Sequence, residues 1–442
     1  MNYKSVNNEK PREIACAVLA RAEAKEVHLD LLLGDALPRL TGPDRALCQE
    51  LVYGVCRWRL LLDWIISNKT DGRAQKPGLQ NLLRVGVYQL FWLDRVPDHA
   101  IVNESVELTR KLGLGGQSGF VNALLRNCIR DRDSLKAELK RLKETEPSVG
   151  WSHPAWLVER WMSRWSENEV RSLLEWNNKP AEVYLRVNTI KIDPGRLVER
   201  WRLDERVEYD FVRLEWVGEN QVFKLRKGSN FTNLPSFKEG CFYVQDPSTL
   251  LAVKWLDPQP GERILDLCAA PGGKATAIAA KVDNQALIVA RDNSEARLKL
   301  LQQNCTRLGV NCIEPELLTP DQTGGAGGLR FDRALVDAPC SNTGVLRRRV
   351  EARWRLQPDQ MKQLTEMQRE LLEQAAAPLN SGGTLIYSTC SLEPEENEDV
   401  VNAFIADHPD FTLVRERQLL PFRDGVDGAY VAHLRKRPDW SV

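Results

Sequence analysis

Four short apolar strands alternating with helical stretches, from about residue 240 onward, constrain this chain more than any other feature. RILDL (263–267), ALIVA (286–290), DRALVDA (332–338) and TLIYST (384–389) alternate with KATAIAAKV, SEARLKLLQQNCTRLG and PDQMKQLTEMQRELLEQAAAPL, and PEENEDVVNAFIAD follows the last. Strands joined by helix-length crossovers are parallel, so this spacing predicts a doubly wound α/β sheet. Such sheets bind ligands beyond the carboxyl ends of their strands. The chemically suggestive segments below lie at those ends.

The first 145 residues follow a different pattern. EIACAVLARAEA, ALCQELVYGVCRWRLLLDWIIS, GLQNLLRVGVYQLFWLD, HAIVNESVELTRKLG and GFVNALLRNCIRDR carry apolar residues three and four apart. Breaks fall at LTGPDR, KTDGRAQKPG, RVPDH and LGGQSG. An all-α bundle is expected over 1–145. Residues 146–238 combine a helical stretch, whose Trp156, Trp161, Trp165 and Trp176 read as core, with strand-like pieces at 182–190 and 221–228 around a helix at 196–202. They predict a small α/β connecting module, leaving 239–442 to the doubly wound domain.

Composition excludes several classes. The longest apolar runs, such as GVYQLFWL (86–93), are too short for a bilayer, and the polar start MNYKSVNNEKPRE does not resemble a signal peptide. A cytoplasmic protein with no membrane association is expected. The 10 cysteines are scattered without a C-x-x-C pair, and none of the 5 histidines sits at ligand spacing from one. That reads as reduced thiols, with neither a disulfide framework nor a metal site. Nothing asks for more than a monomer. Formal net charge is zero, which does not advertise a nucleic-acid binder. The local run LRRRVEARWR (346–355) is the exception.

ILDLCAAPGGKAT (264–276) reads as a strand, a Gly-rich turn and a helix start. Gly272 and Gly273 allow close backbone approach to a ligand, and the helix start offers free N–H groups. Neither a dinucleotide G-x-G-x-x-G nor a phosphate-binding G-x-x-x-x-G-K-[ST] is present. Asp292, at the end of the second strand, is placed to accept hydrogen bonds from ribose hydroxyls, to cap the helix from Ser294, or both. A ribose-bearing cofactor without a diphosphate loop points to S-adenosylmethionine.

VDAPCSNTG, around Cys340, and YSTCSLEP, around Cys390, each end a strand with a thiol. One such cysteine reads as a small buried residue. Two beside a cofactor turn suit methylation of a pyrimidine at carbon 5. A thiolate adding to carbon 6 makes carbon 5 nucleophilic, and the enzyme sulfur must later be expelled. Asp337 is placed to hold the ring's nitrogen edge and favour its protonation. This chemistry does not say which thiol adds.

At these residues the chain closely resembles the Nop2/Sun family of RNA 5-methylcytosine methyltransferases: LDLCAAPGGK as cofactor motif, VDAPCS as Pro-Cys motif, YSTCSLEPEENE as Thr-Cys motif. The resemblance implies a Rossmann-like catalytic domain that binds S-adenosylmethionine through Cys268, Ala269, Ala270, Pro271, Gly272, Gly273, Lys274, Asp292 and Asp337, with Lys274 also supporting catalysis. It makes Cys390 the nucleophile and Cys340 the residue of product release. DRALCQELVYGVCRWR, LDRVPDHAIVNESVELTRK and GFVNALLRN resemble a NusB-like RNA-binding domain. Members with that domain imply, as substrate, one cytosine of 16S ribosomal RNA, free or in early assembly. Transfer RNA methylation and a non-catalytic assembly or antitermination factor are the alternatives.

Three positions depart from the family pattern. The third-strand acid that contacts the adenine side is missing from IEPELLTPDQTGGAGG, where Glu316 or Asp321 would substitute. Arg291 stands where an apolar residue is usual, and Val350 replaces a proline, which is expected to loosen the loop after Cys340. In that loop Arg347, Arg348, Arg349 and Arg353 are expected to contact phosphates, and Trp354 to stack on a base, at the site mouth.

Overall fold

The computed structural model describes residues 10–25, 28–226, 231–318 and 328–438. Asp321 lies outside them. The chain forms two compact units: 1–179 with 346–355, and 180–345 with 356–442. The division falls at 179/180, beyond the expected boundary at 145. Helices Ala155–Met162 and Glu167–Asn178 pack within the first of these units, and the small sheet within the second.

In the helical unit, Pro77–Trp92 is buried from Leu79 to Leu90 on nearly every face, the mark of a central helix. Its neighbours include Pro11–Lys25, Gly42–Arg57, Arg59–Lys69, Asp98–Lys111 and Ser118–Arg130. Arg84 is buried on this helix but not alone: Asp63 takes its Nε and Nη2 (both 2.7 Å), and Glu23 takes Nη1 (2.7 Å). A charge removed from water persists when so paired. Trp161, one of the tryptophans expected in the core, is fully buried.

Residues 346–355 overturn part of the sequence reading. Val350 is buried in the helical unit's core, so it anchors the segment rather than loosening it. Arg353 is also fully buried. Its Nη1 donates to Asn178 Oδ1 (2.8 Å) and Ser152 O (3.2 Å), and its Nη2 to Asn177 O (3.0 Å). Trp354 Nε1 donates to Cys56 O (2.7 Å), Arg347 lies buried over the Trp176 ring (3.9 Å), and Arg349 pairs with Asp30 (2.5 Å). Arg347, Arg353 and Trp354 thus have interior partners, which contradicts their assignment to phosphates and a base. Arg348 is half-buried.

The second unit opens with a four-stranded antiparallel sheet, order β2-β3-β1-β4, of β1 (Tyr184–Val187), β2 (Tyr209–Phe211), β3 (Val222–Leu225) and β4 (Phe242–Val244). Trp201 packs edge-on against Phe223 and Phe242 beneath it. Asn188 Nδ2 donates to Gly240 O (2.9 Å) and Leu308 O (2.7 Å), and Arg186 to Thr276 Oγ1 (2.9 Å), tying this sheet to the larger one's helices.

The larger sheet comprises β5 (Arg263–Leu267), β6 (Leu287–Asp292), β7 (Ile313–Leu317), β8 (Phe331–Asp337), β9 (Leu379–Thr389), β10 (Phe411–Leu419) and β11 (Ala429–Lys436). Among the described residues its order is β10-β11-β9-β8-β5-β6-β7. β5 to β9 pair in parallel where adjacent, as expected, while β10 and β11 add an antiparallel edge. One face packs on Pro358–Ala376 and Glu398–Asp407, the other on Leu250–Leu256 and Gly273–Lys281. The strand order reverses between β5 and β8, which opens a crevice at their carboxyl ends. Among the described residues no helix is long and apolar enough to cross a membrane, and no cluster of metal-ligating side chains is found.

Candidate active site

The turn after β5 is shaped by backbone that only certain residues adopt. Gly272 has φ 101°, where a side chain would be strained, and it opens helix Gly273–Lys281. Thr276 locks that entry, its N–H and hydroxyl both donating to Gly272 O (2.9 and 2.6 Å). Asp292, buried at the end of β6, accepts from Ala270 N–H (3.2 Å) and Ser294 N–H (3.1 Å), and Arg297 approaches it at 3.3 Å. It therefore braces the turn. The helix cap proper is Ser294, whose hydroxyl accepts from Arg297 N–H.

Arg291 and Glu316 answer each other. They face across β6 and β7, and the buried Arg291 Nε donates to Glu316 Oε2 (2.9 Å). Glu316 thus neutralises an arginine of the neighbouring strand.

Sequence reasoning missed Asp266, the acid inside LDL. It is fully buried, and neither carboxyl oxygen has a hydrogen-bond partner among the described residues. Burial, followed by the charge of Asp337, pushes it well above the usual Asp range, with Lys274 opposing. Lys274, largely buried, pairs with Asp337 at 2.6 Å, and Ser388 Oγ donates to Asp337 Oδ1 (3.0 Å). Cys268 is the chemically quiet thiol here. Burial first, then Asp337, Asp292 and Asp266, push it up to about 12.

Cys340 and Cys390 leave the adjacent strands β8 and β9 and converge, Sγ to Sγ 3.2 Å. Their hydrogen bond, then burial, then nearby negative charge hold the Cys340 thiol well above its ordinary value. Asn342 Oδ1 lies 3.2 Å from Cys390 Sγ, and Asn342 Nδ2 donates to Cys340 O (2.8 Å), so one amide touches both cysteines. Gly344 permits the crossing of the two turns. A Cβ there would stand 2.7 Å from Cys390 O and 2.6 Å from Gly428 O.

Beneath the thiols sits a second group that the sequence reading passed over. Ser341 and Ser391, each directly after a cysteine, share the buried carboxylate of Glu396. Ser341 N–H (2.8 Å) and Gln368 Nε2 (3.1 Å) also donate to it. The repeated Cys-Ser pair was visible in the sequence. Its common acceptor was not, because it belongs to a turn that only tertiary folding brings beneath both strands.

A doubly wound sheet with a Gly-rich turn after β5, an acid after β6 and paired thiols after β8 and β9 defines a two-cysteine Rossmann-like methyltransferase fold. Comparison with known proteins agrees. Residues 253–435 match the family described as 16S rRNA methyltransferase RsmB/F, 9–130 the NusB family, and 153–207 the RsmF/B-like ferredoxin-like domain. The chain is 33% identical to a probable ribosomal RNA small subunit methyltransferase B of Bacillus subtilis, over 96% of this chain and 98% of that one. It is 36% identical to the ribosomal RNA small subunit methyltransferase B of Vibrio cholerae, over 95% and 97%. A solved methyltransferase homolog from Pyrococcus horikoshii superposes with a TM-score of 0.57 at 31% identity, covering 65% of this chain and 97% of the other. The chain belongs to the ribosomal RNA small subunit methyltransferase B family.

Proposed function

We propose that the protein methylates carbon 5 of a cytosine in 16S ribosomal RNA, with S-adenosylmethionine as methyl donor. The observation that carries this reading is the pair of thiols 3.2 Å apart beside the Lys274–Asp337 ion pair and the Gly-rich turn. The residues present fit that cofactor. Asp292 and Asp337 put negative charge around the turn, suited to a molecule bearing a sulfonium and an ammonium, and the buried Asp266 adds an unpartnered carboxyl there. Asp292 would serve the ribose hydroxyls, and the turn 268–274 the amino-acid end. When bound, the cofactor supplies an electrophilic methyl group.

Cys390 Sγ adds to carbon 6 of a flipped-out cytosine, forming the S–C6 bond and moving the ring π pair to carbon 5. Asp337, held by Lys274 and Ser388, positions the base edge. After methylation, the carbon-5 proton passes to a water acting as base, its C–H pair restores the C5–C6 double bond, and the S–C6 pair leaves with the Cys390 sulfur. Cys340, its Sγ 3.2 Å away, gives a hydrogen bond to the departing Cys390 sulfur in this reading. Methyl transfer from labelled cofactor to 16S transcripts is expected to vanish in Cys390→Ala. Cys340→Ala is expected to accumulate a denaturation-resistant protein–RNA adduct that Cys390→Ala does not form. Equal trapping by both variants would overturn these roles, and bisulfite sequencing of the treated RNA identifies the base.

A further inference from the structure

We propose that Glu396 is a positioning residue of the two-thiol site, a single buried carboxylate that sets the distance between Cys340 and Cys390 through the serine following each. Neighbouring strands lie about 4.8 Å apart, so two thiols at the ends of β8 and β9 do not meet by strand spacing alone. The last ladder pair is Asp337↔Ser388, with Ala338 N–H bonding Ser388 O (2.9 Å) just beyond. After that point the two exits turn toward each other, and Glu396 lies where they meet.

Four donors converge on its two oxygens. Ser341 N–H and Gln368 Nε2 reach Oε1, while the hydroxyls of Ser341 and Ser391 reach Oε2. Gln368 also donates to Pro339 O (2.9 Å), so its helix Pro358–Ala376 fixes the residue before Cys340 as well. On the other side, Asn397 Nδ2 holds Ser391 O (3.0 Å) and Asn397 Oδ1 accepts from Thr389 Oγ1 (2.6 Å). Glu396 and Asn397 together grip Ser391, and Glu396 alone also reaches Ser341. Burying a carboxylate is costly unless its lone pairs are filled, and here they are filled from both cysteine turns. Glu396 touches neither thiol, so it acts through the serines. Displacing a reacting group by an ångström can cost about a hundredfold in rate.

The effect on turnover rests on the methyltransferase reading, but the thiol geometry does not, and the experiment separates the two. Phenylarsine oxide bridges close dithiols and needs no RNA. In the wild-type chain it is expected to join Cys340 and Cys390, seen by mass spectrometry, and Glu396→Ala is expected to lose that bridge. With 16S transcript, kcat of Glu396→Ala is expected to fall about a hundredfold at unchanged KM. Glu396→Gln, which keeps shape without charge, is expected to restore part of both. Wild-type bridging and kcat in Glu396→Ala, or a loss confined to KM, would overturn the proposal. If Glu396→Ala does not fold, Ser341→Ala, Ser391→Ala and the double variant decide. Two arms of one clamp lose no more together than the worse single change, and additive losses would refute it. A wild-type chain that bridges its thiols but leaves cytosine unmethylated sinks the functional reading only.

Discussion

Asp266 shows what one side chain adds to a site built from motifs. Burial, then Asp337, raise its pKa well above 3.8. A carboxyl that binds its proton more tightly when folded stabilises the fold below its unfolded value, and that contribution disappears as pH rises through the folded value. Asp266→Asn cannot ionise. The stability advantage of the wild type over this variant is therefore expected to shrink as pH rises from about 4 upward, by at most about 1.4 kcal/mol per pH unit. Thermal unfolding of both chains across that range checks it, and a constant difference would mean that Asp266 is ionised in the fold. Adding S-adenosylmethionine is expected to weaken the trend, because a cation nearby favours the charged carboxylate.

The segment 346–355 and the strand pair β10–β11 mark the limits of legibility at the scale of elements. The parallel strands were readable because apolar runs bounded by turns leave few alternatives. The Gly-rich turn, Asp292 and both cysteines could be placed at strand ends because each follows such a run. β10, FTLVRERQL, escaped because charged residues interrupt its alternation at the sheet's edge, and β11, AYVAHLRK, was passed over although its charges fall only at its end. LRRRVEARWR was misjudged for a related reason. Charge in a sequence suggests solvent, yet carbonyl and amide oxygens of the folded chain accept from both terminal nitrogens of the buried Arg353. Replacing Arg353 with Met leaves those acceptors buried and unpaired. It is expected to cost on the order of 3 kcal/mol in denaturant unfolding. The salt dependence of RNA binding is expected to stay the same, whereas loss of a phosphate contact would reduce its slope by about 1.

At the scale of the whole molecule, the covalent order and the compact units disagree. The chain builds most of the helical unit, then most of the catalytic unit, returns to the helical unit at Leu346–Arg355, and leaves again. A fragment of residues 1–179 therefore lacks Val350 and Arg353 from its interior. It is expected to unfold at lower temperature than the same fragment with 346–355 restored through a flexible linker, by calorimetry of the two. Equal melting would mean that the ten residues contribute nothing to the unit's stability. The return also constrains how such genes can recombine. A single crossover near codon 180 would give one parent's helices the other parent's arginine and valine, a mismatch in the interior of a unit that is not continuous in the chain. Working chimaeras of this family should need a double exchange, or else matched changes around Cys56, Ser152 and Asn178, which touch the returning segment.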